Sequence, residues 1–219
     1  MIDLLNESLD NIASIFSLIV GILYAVYWFK VKADRAFSFL TLYLGLTVII
    51  NLTMTFYATH KWNNLFISHF YFISQFVLLS QFYYCLFKKK QKQLVRFLQI
   101  LVLLIIIINF IIDPAIFFKF SLLEVFVTAI TLVVFTIIHL YNSLIEKGTY
   151  QYVNAGILIY LSMSTLIFFL GNYLALSKDL PEGLSNNIWN INILLVLIYQ
   201  TFIFLEWKIN ISKWKTKNP

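Results

Sequence analysis

The sequence predicts an all-α protein that crosses a membrane as a bundle of seven transmembrane helices. Of its 219 residues, 61% are hydrophobic and only 12% are charged, and the mean hydropathy is +0.84. Soluble domains are about 45–50% apolar and about 25% charged. Too few polar residues therefore remain to cover a globule in water. This composition excludes a soluble enzyme, a disordered chain and a disulfide scaffold.

The second observation is a series of seven stretches without Asp, Glu, Lys or Arg. A helix needs about 20 apolar residues to cross a hydrocarbon layer of about 30 Å. The predicted spans cover residues 8–29, 36–59, 63–87, 94–112, 117–141, 150–176 and 184–207. They leave only short loops, so residues 1–219 form one transmembrane domain. Strands of a membrane β-barrel would show apolar and polar residues in alternation, and the long apolar runs of this chain do not.

The distribution of Lys and Arg predicts the orientation of the bundle. Thirteen of the sixteen basic residues fall in the loops after spans one, three and five or after span seven. Short cytoplasmic loops carry this excess of positive charge. We therefore expect the N-terminus outside and the C-terminus in the cytoplasm of a multi-pass cell-membrane protein.

The same basic residues are the expected contacts for anionic lipid head groups or for a protein partner. They account for the net charge of +6, so nucleic acid is not an expected partner. The residues assigned to this role are Lys88, Lys89, Lys90, Lys92, Arg96, Lys208, Lys213, Lys215 and Lys217.

Polar residues within the predicted spans indicate a candidate pocket. Such side chains are costly in a bilayer and usually face the bundle interior or a water-filled cavity. With the predicted orientation, a set from six spans falls in the outer half of the membrane. It comprises Asp10, Ser14, Asn51, Ser68, His69, Tyr71, Glu124, Thr128, Asn172, Asn186 and Asn190. A small polar ligand is the partner that such a pocket would take.

Packing is the alternative explanation of the same residues. Asn, Ser and Thr form hydrogen bonds between membrane helices, and an Asp near a helix start can cap it. Glu124 lies inside the fifth span if that span begins near Phe117, and otherwise it is interfacial. Lys119, at i−5, is a poor but possible partner for Glu124. His69 lies off the face that carries Ser68, which favours a core or interfacial histidine over a proton relay.

No catalytic, metal or cofactor site is predicted. The chain has no H-E-x-x-H, no G-x-S-x-G and no glycine-rich phosphate loop. Its last span has no lysine that could hold retinal. Three functions remain as expectations. The first is a non-catalytic accessory or regulatory subunit that acts through a protein partner or a second copy. The alternatives are a small-molecule transporter or receptor, and an intramembrane lipid-modifying enzyme that uses His69, Glu124 and Asp10.

Overall fold

The described part of the chain contains seven long α-helices. The structure, a computed structural model, describes residues 2–31, 33–146, 148–176 and 184–213; side chains are not described for residues 2–7, 174–176, 184–187 and 189. The helices are α1 (Ile2–Lys30), α2 (Arg35–Thr59), α3 (Leu65–Leu86), α4 (Lys89–Ile112), α5 (Leu122–Ile145), α6 (Gln151–Leu176) and α7 (Leu184–Ile209). Two 3-10 turns, Pro114–Phe118 and Ile211–Lys213, complete the described secondary structure.

Each helix contains an apolar segment long enough to cross a membrane. Among the described residues there are seven such segments, of 22 to 25 residues, and no strand. The predicted all-α fold with seven membrane-length helices is confirmed. Large apolar side chains cover much of the outer surface, as in Ile112 and Leu144, which are 77% and 80% exposed. Lipid tails are the natural solvent for such a surface.

Six of the helices form a closed ring in the order α1, α2, α3, α5, α6 and α7, and each packs against its two neighbours. Helix α4 lies outside the ring, against α3 and to a smaller extent against α5. Within the described residues, helices on opposite sides of the ring make no comparable backbone contact. The interior therefore contains large side chains rather than close contacts between opposite helices. The bulkiest fully buried ones include Tyr24, Tyr43, Tyr83, Phe37, Phe76, Phe82 and Phe135.

Local sequence signals set the helix ends. Asp34 caps α2 by accepting a 2.6 Å hydrogen bond from the Phe37 amide. Pro114 cannot continue a helix, and α4 ends just before it. The chain then makes a 3-10 turn, and Ser121 caps α5 by accepting a hydrogen bond from the Glu124 amide. Helix α5 thus begins at Leu122, five residues after the expected start of the fifth span, and Glu124 lies in its first turn.

We call the end of the bundle where α1, α3, α5 and α7 finish the lysine-rich end, and the other the lysine-poor end. Side chains tie the lysine-rich end together across long sequence separations. The Tyr150 hydroxyl donates to the Asp34 carboxylate at 3.0 Å, which joins the start of α6 to the start of α2. The Tyr27 hydroxyl donates to the Ser212 carbonyl at 2.9 Å, which joins α1 to the chain after α7.

Candidate functional site

A buried histidine–glutamate pair lies near the lysine-poor end. His69 is in the first turns of α3 and Glu124 is in the first turn of α5. His69 Nδ1 and Glu124 Oε2 are 2.5 Å apart, and the two side chains are 3% and 2% exposed. The other carboxylate oxygen, Glu124 Oε1, has no hydrogen-bond partner among the described residues. The pair therefore offers one open acceptor in a buried position.

Aromatic rings and the 3-10 turn enclose this pair. The His69 ring packs between Phe110 of α4, with centroids 5.1 Å apart, and Phe117 of the turn, with centroids 5.8 Å apart. His69 Nε2 lies 3.2 Å from the Ile116 carbonyl oxygen. The pair thus sits in the wedge between α3, α4 and α5, outside the interior of the ring.

The hydrogen bonds define how many protons the pair holds. A carbonyl oxygen only accepts, so His69 Nε2 must carry a proton to bond Ile116. The contact between Nδ1 and Glu124 Oε2 needs one further proton. On Nδ1 that proton makes an imidazolium–carboxylate ion pair, and on Oε2 it makes a neutral pair. This arrangement can hold a proton between two groups, which is chemistry that histidine and intramembrane carboxylates supply elsewhere.

His69, and not Lys119, is the partner of Glu124. The lysine is exposed on the loop before α5, while His69 reaches the carboxylate from 55 residues away. Thr128 is buried one turn further along α5, and its hydroxyl donates locally to the Glu124 backbone carbonyl at 2.7 Å. Of the predicted pocket residues that the structure describes, His69 and Glu124 are the two joined through their side chains.

A second polar site occupies the ring interior, and we call it the tyrosine cluster. Its members are Tyr43 of α2, Tyr71 and Gln75 of α3, Tyr160 of α6 and Tyr199 of α7. The Gln75 amide donates to Tyr43 Oη at 3.1 Å and to Tyr71 Oη at 3.4 Å. Tyr71 Oη and Tyr160 Oη are 3.5 Å apart, and the Tyr160 ring stacks on the Tyr199 ring with centroids 5.1 Å apart. Four helices meet through these side chains.

Several buried polar atoms at and near this cluster have no protein partner among the described residues. Tyr199 Oη has the Tyr43 hydroxyl as its polar neighbour. Asn192 lies two turns before Tyr199 on the same face of α7, and its Oδ1 atom has no partner in the described part of the chain. The Oε1 atom of Gln200 also has no partner there. Buried polar atoms without partners cost free energy, and bound water or ligand commonly completes them.

The structure separates the predicted pocket into distinct places. His69 and Tyr71 are two residues apart on α3, so their side chains leave the helix about 200° apart and enter different sites. Ser68 is buried beside them, but its hydroxyl donates locally to the Leu65 carbonyl. The other described members make no hydrogen bond with the His69–Glu124 pair: Asp10, Ser14 and Asn172 are exposed, and Asn51 and Asn190 are half-buried. The Asn186 side chain lies outside the described residues.

The predicted trio of acid–base groups is likewise divided. His69 and Glu124 are in contact, but the Asp10 side chain is exposed on α1. Helix α1 packs against α2 and α7, not against α3 or α5. Direct proton transfer needs hydrogen-bond reach, so Asp10 is not placed to act with the pair.

Glu206 near the end of α7 is a buried carboxylate that the sequence alone did not single out. It is 1% exposed. Its Oε2 atom accepts the Tyr152 backbone amide at 3.0 Å, and its Oε1 atom accepts the Asn210 side-chain amide at 2.7 Å. Glu206 thus caps the start of α6. The contact with Asn210, at i+4, could be expected from the helical spacing. The contact with α6 has no such signal in the sequence.

The predicted basic contacts lie at the lysine-rich end. Lys88 precedes α4 as its N-cap, and the first two turns or so of that helix carry Lys89, Lys90, Lys92 and Arg96. Lys208 and Lys213 lie at or just past the end of α7, and Lys215 and Lys217 are outside the described residues. Lys88 is paired with Glu146 at 2.7 Å, and both side chains are exposed. A groove of about 350 Å³ lies between the end of α3 and the start of α4, and it is lined by Tyr84, Lys89, Lys92, Gln93 and Arg96.

The fold defines the class of protein, a polytopic helical membrane protein, and the comparisons add no narrower relationship. The chain matches no protein-family model, and neither curated proteins nor solved structures give a significant match. Within the described residues, no three His, Cys, Asp or Glu side chains come together as a metal site would require. The function must therefore be argued from the sites themselves.

Proposed function

We propose that this protein is a small-molecule transporter or receptor of the cell membrane, with its N-terminus outside and its C-terminus in the cytoplasm. Its ligand binds inside the helix ring, at the tyrosine cluster. One observation carries the proposal: Asn192 Oδ1 is buried on α7 without a protein partner among the described residues, and Tyr199 Oη, on the same face, has only the Tyr43 hydroxyl beside it. A bound polar molecule would supply those partners.

The chemistry of the cluster limits the ligand. Phenol hydroxyls and a primary amide both donate and accept hydrogen bonds. No member of the cluster carries a formal charge at neutral pH, so there is no fixed charge to recognise an ion. The flat faces of Tyr160 and Tyr199 provide an apolar surface next to the hydroxyls. These features suit a small, uncharged, polar molecule.

The location of the cluster also favours a binding role. Helices that only hold one another together approach closely through small residues, as Gly156 of α6 does against Phe202 of α7. At the cluster, long side chains from α2, α3, α6 and α7 meet across the ring interior instead. An accessory subunit has no need for unpartnered polar atoms in its centre, whereas a ligand-binding protein does.

The test is the recovery of a small molecule with the purified protein. The protein is extracted from its native membranes in mild detergent, and all retained proteins and small molecules are identified by mass spectrometry. Wild type is compared with Tyr199→Phe and Gln75→Leu, which remove polar groups of the cluster. Tyr141→Phe is the matched control, since it removes one tyrosine hydroxyl from an exposed side chain.

We expect wild type and Tyr141→Phe to retain the same polar molecule, and the two cluster variants to lose it by about tenfold, the effect of about 1.4 kcal/mol. Equal retention by all four proteins would contradict the site. A stoichiometric protein partner with no small molecule would contradict the function and return the accessory subunit as the explanation.

A further inference from the structure

The groove between the end of α3 and the start of α4 has an unusual set of charges. Lys92 Nζ lies 5.3 Å and Arg96 Cζ lies 4.6 Å from the centroid of the Tyr84 ring. Lys89 lines the same groove. Residues 89, 92 and 96 are spaced three and four apart, so they share one face of α4. Three cationic groups and an aromatic ring thus converge on one depression.

These cations are not neutralised within the described part of the chain. The two ion pairs there are His69–Glu124 and Lys88–Glu146, and neither includes a cation of the groove. The carboxylate of Asp34 accepts hydrogen bonds from Tyr150 and from the Phe37 amide, and it forms no ion pair with a cation of the groove. The first turn of α4 also has no acidic residue to offset the positive end of its helix dipole.

We propose that this groove binds the head-group phosphate of an anionic phospholipid. The cations and the start of α4 supply the complementary charge, and Gln93 supplies a neutral hydrogen-bonding group. Tyr84 acts as a platform that holds Lys92 and Arg96 through cation–π contacts. This site is separate from the tyrosine cluster and does not depend on the function proposed for it.

The surface next to the groove explains why the partner is a lipid. From Phe97, the residue after Arg96, the exposed side chains of α4 become apolar: Phe97, Ile100 and Leu104 are 63%, 60% and 50% exposed. Ile100 lies one turn past Arg96 on the same side of the helix. A phospholipid matches this change from cationic to apolar side chains along α4, since its phosphate lies at the membrane surface and its acyl chains extend into the hydrocarbon layer. A soluble phosphate would use the cations alone.

The experiment measures lipid binding to the purified full-length protein by native mass spectrometry. Phosphatidylglycerol is the anionic probe and phosphatidylcholine is the zwitterionic control. The test variant is the double substitution Lys92→Gln and Arg96→Gln. The matched control is Lys30→Gln with Arg35→Gln, which removes two exposed positive charges from the same end of the bundle without touching the lining of the groove. Tyr84→Leu and Tyr84→Phe test the platform.

We expect wild type and the control to bind phosphatidylglycerol as a first, tightest adduct, and the groove variant to bind it about tenfold more weakly. Tyr84→Leu is expected to weaken binding severalfold, and Tyr84→Phe to preserve it. Equal weakening by the groove and control variants would overturn the site, because generic surface charge would then explain the binding. Full displacement of the lipid by 10 mM inorganic phosphate, a concentration of roughly the size needed to fill a weak anion site, would overturn the lipid as its ligand.

Discussion

Two glutamates lie buried at opposite ends of the bundle, and their oxygens are partnered in different ways. Glu206, at the lysine-rich end, uses both oxygens: one accepts a backbone amide of α6 and the other accepts the Asn210 amide. Glu124, at the lysine-poor end, uses one oxygen on His69 and leaves the other without a partner among the described residues. Backbone and Asn amides cannot gain or lose a proton, whereas His69 can.

The difference separates a structural carboxylate from one that is free to act. The partners of Glu206 are fixed donors that hold α6 and α7 together, and little is left for a ligand. The single titratable partner and open oxygen of Glu124 leave room for a proton or a hydrogen-bond donor. Burial alone does not distinguish the two residues, since they are 1% and 2% exposed. The identity of the partners does.

The largest effect is expected from Glu206→Ala. This change leaves the start of α6 and the Asn210 amide without their acceptor, and it opens a cavity at the junction of two helices. Hydrogen bonds to a charged group contribute about 1.5–3 kcal/mol each, so the loss should reach about 3 kcal/mol or more. The measurement is the free energy of unfolding by titration with a denaturing detergent. Glu206→Gln, which keeps one acceptor, should lose about half as much.

Polar and apolar substitutions of Glu124 should have different effects on the free energy of unfolding. Glu124→Gln keeps a hydrogen-bonding group opposite His69 and should change the free energy of unfolding by less than about 1 kcal/mol. Glu124→Leu strands the buried imidazole and should cost about 1–3 kcal/mol. The same unfolding titration compares the two. If Glu124→Gln were as damaging as Glu206→Ala, Glu124 would also be a structural carboxylate, and the contrast between them would fail.

A smaller effect than that of Glu206→Ala is expected at Tyr150, which lies just before α6 and outside its membrane segment. Burial raises the pKa of the Tyr150 phenol above its ordinary value, and the carboxylate of Asp34 raises it further. Tyr150→Phe removes one hydrogen bond to a carboxylate, so we expect a loss of about 1.5 kcal/mol at neutral pH. Tyr141→Phe, at an exposed position, should cost almost nothing.

The raised pKa also sets the sign of a pH dependence. A group with a higher pKa in the folded state stabilises the fold below its unfolded pKa of about 10, and this contribution is lost as the pH rises above that value. The stability difference between wild type and Tyr150→Phe should therefore be constant up to about pH 9.5 and shrink above it. A difference that grew with pH would show that Tyr150 ionises more readily in the folded protein, and would contradict its placement beside Asp34.

Much of the fold was predictable because apolar runs long enough to cross a membrane are easily recognised in a sequence. The seven spans followed from stretches without charge, since helices are the chain's way to satisfy every backbone amide in lipid. The start of α5 was harder to predict. Nothing in an apolar run distinguishes a helix from a 3-10 turn, and Phe117 and Phe118 are as apolar as the span that follows. Two residues mark the boundary in the sequence: Pro114 breaks the helix before it, and Ser121 caps the start of α5.

The sites were less predictable than the spans. Spacing along α3 placed Tyr71 and Gln75 on one face and His69 on another, but it could not say which helix each face meets. The candidate pocket combined residues by depth in the membrane, and depth alone mixed exposed side chains such as Asp10 and Asn172 with buried ones. Helix order around the ring decides which residues meet, and that order depends on packing between segments distant in sequence.

The sequence by itself determined the class of this protein, because hydropathy and charge are sums over local runs of residues. It also marked Glu124 as an acidic residue in or beside a span. Only the tertiary structure decided that His69 is the partner of Glu124, that α4 lies outside a six-helix ring, and that Glu206 caps a helix 54 residues earlier in the chain. These are contacts between separate helices, and the apolar sequence of one helix does not specify which other helices pack against it.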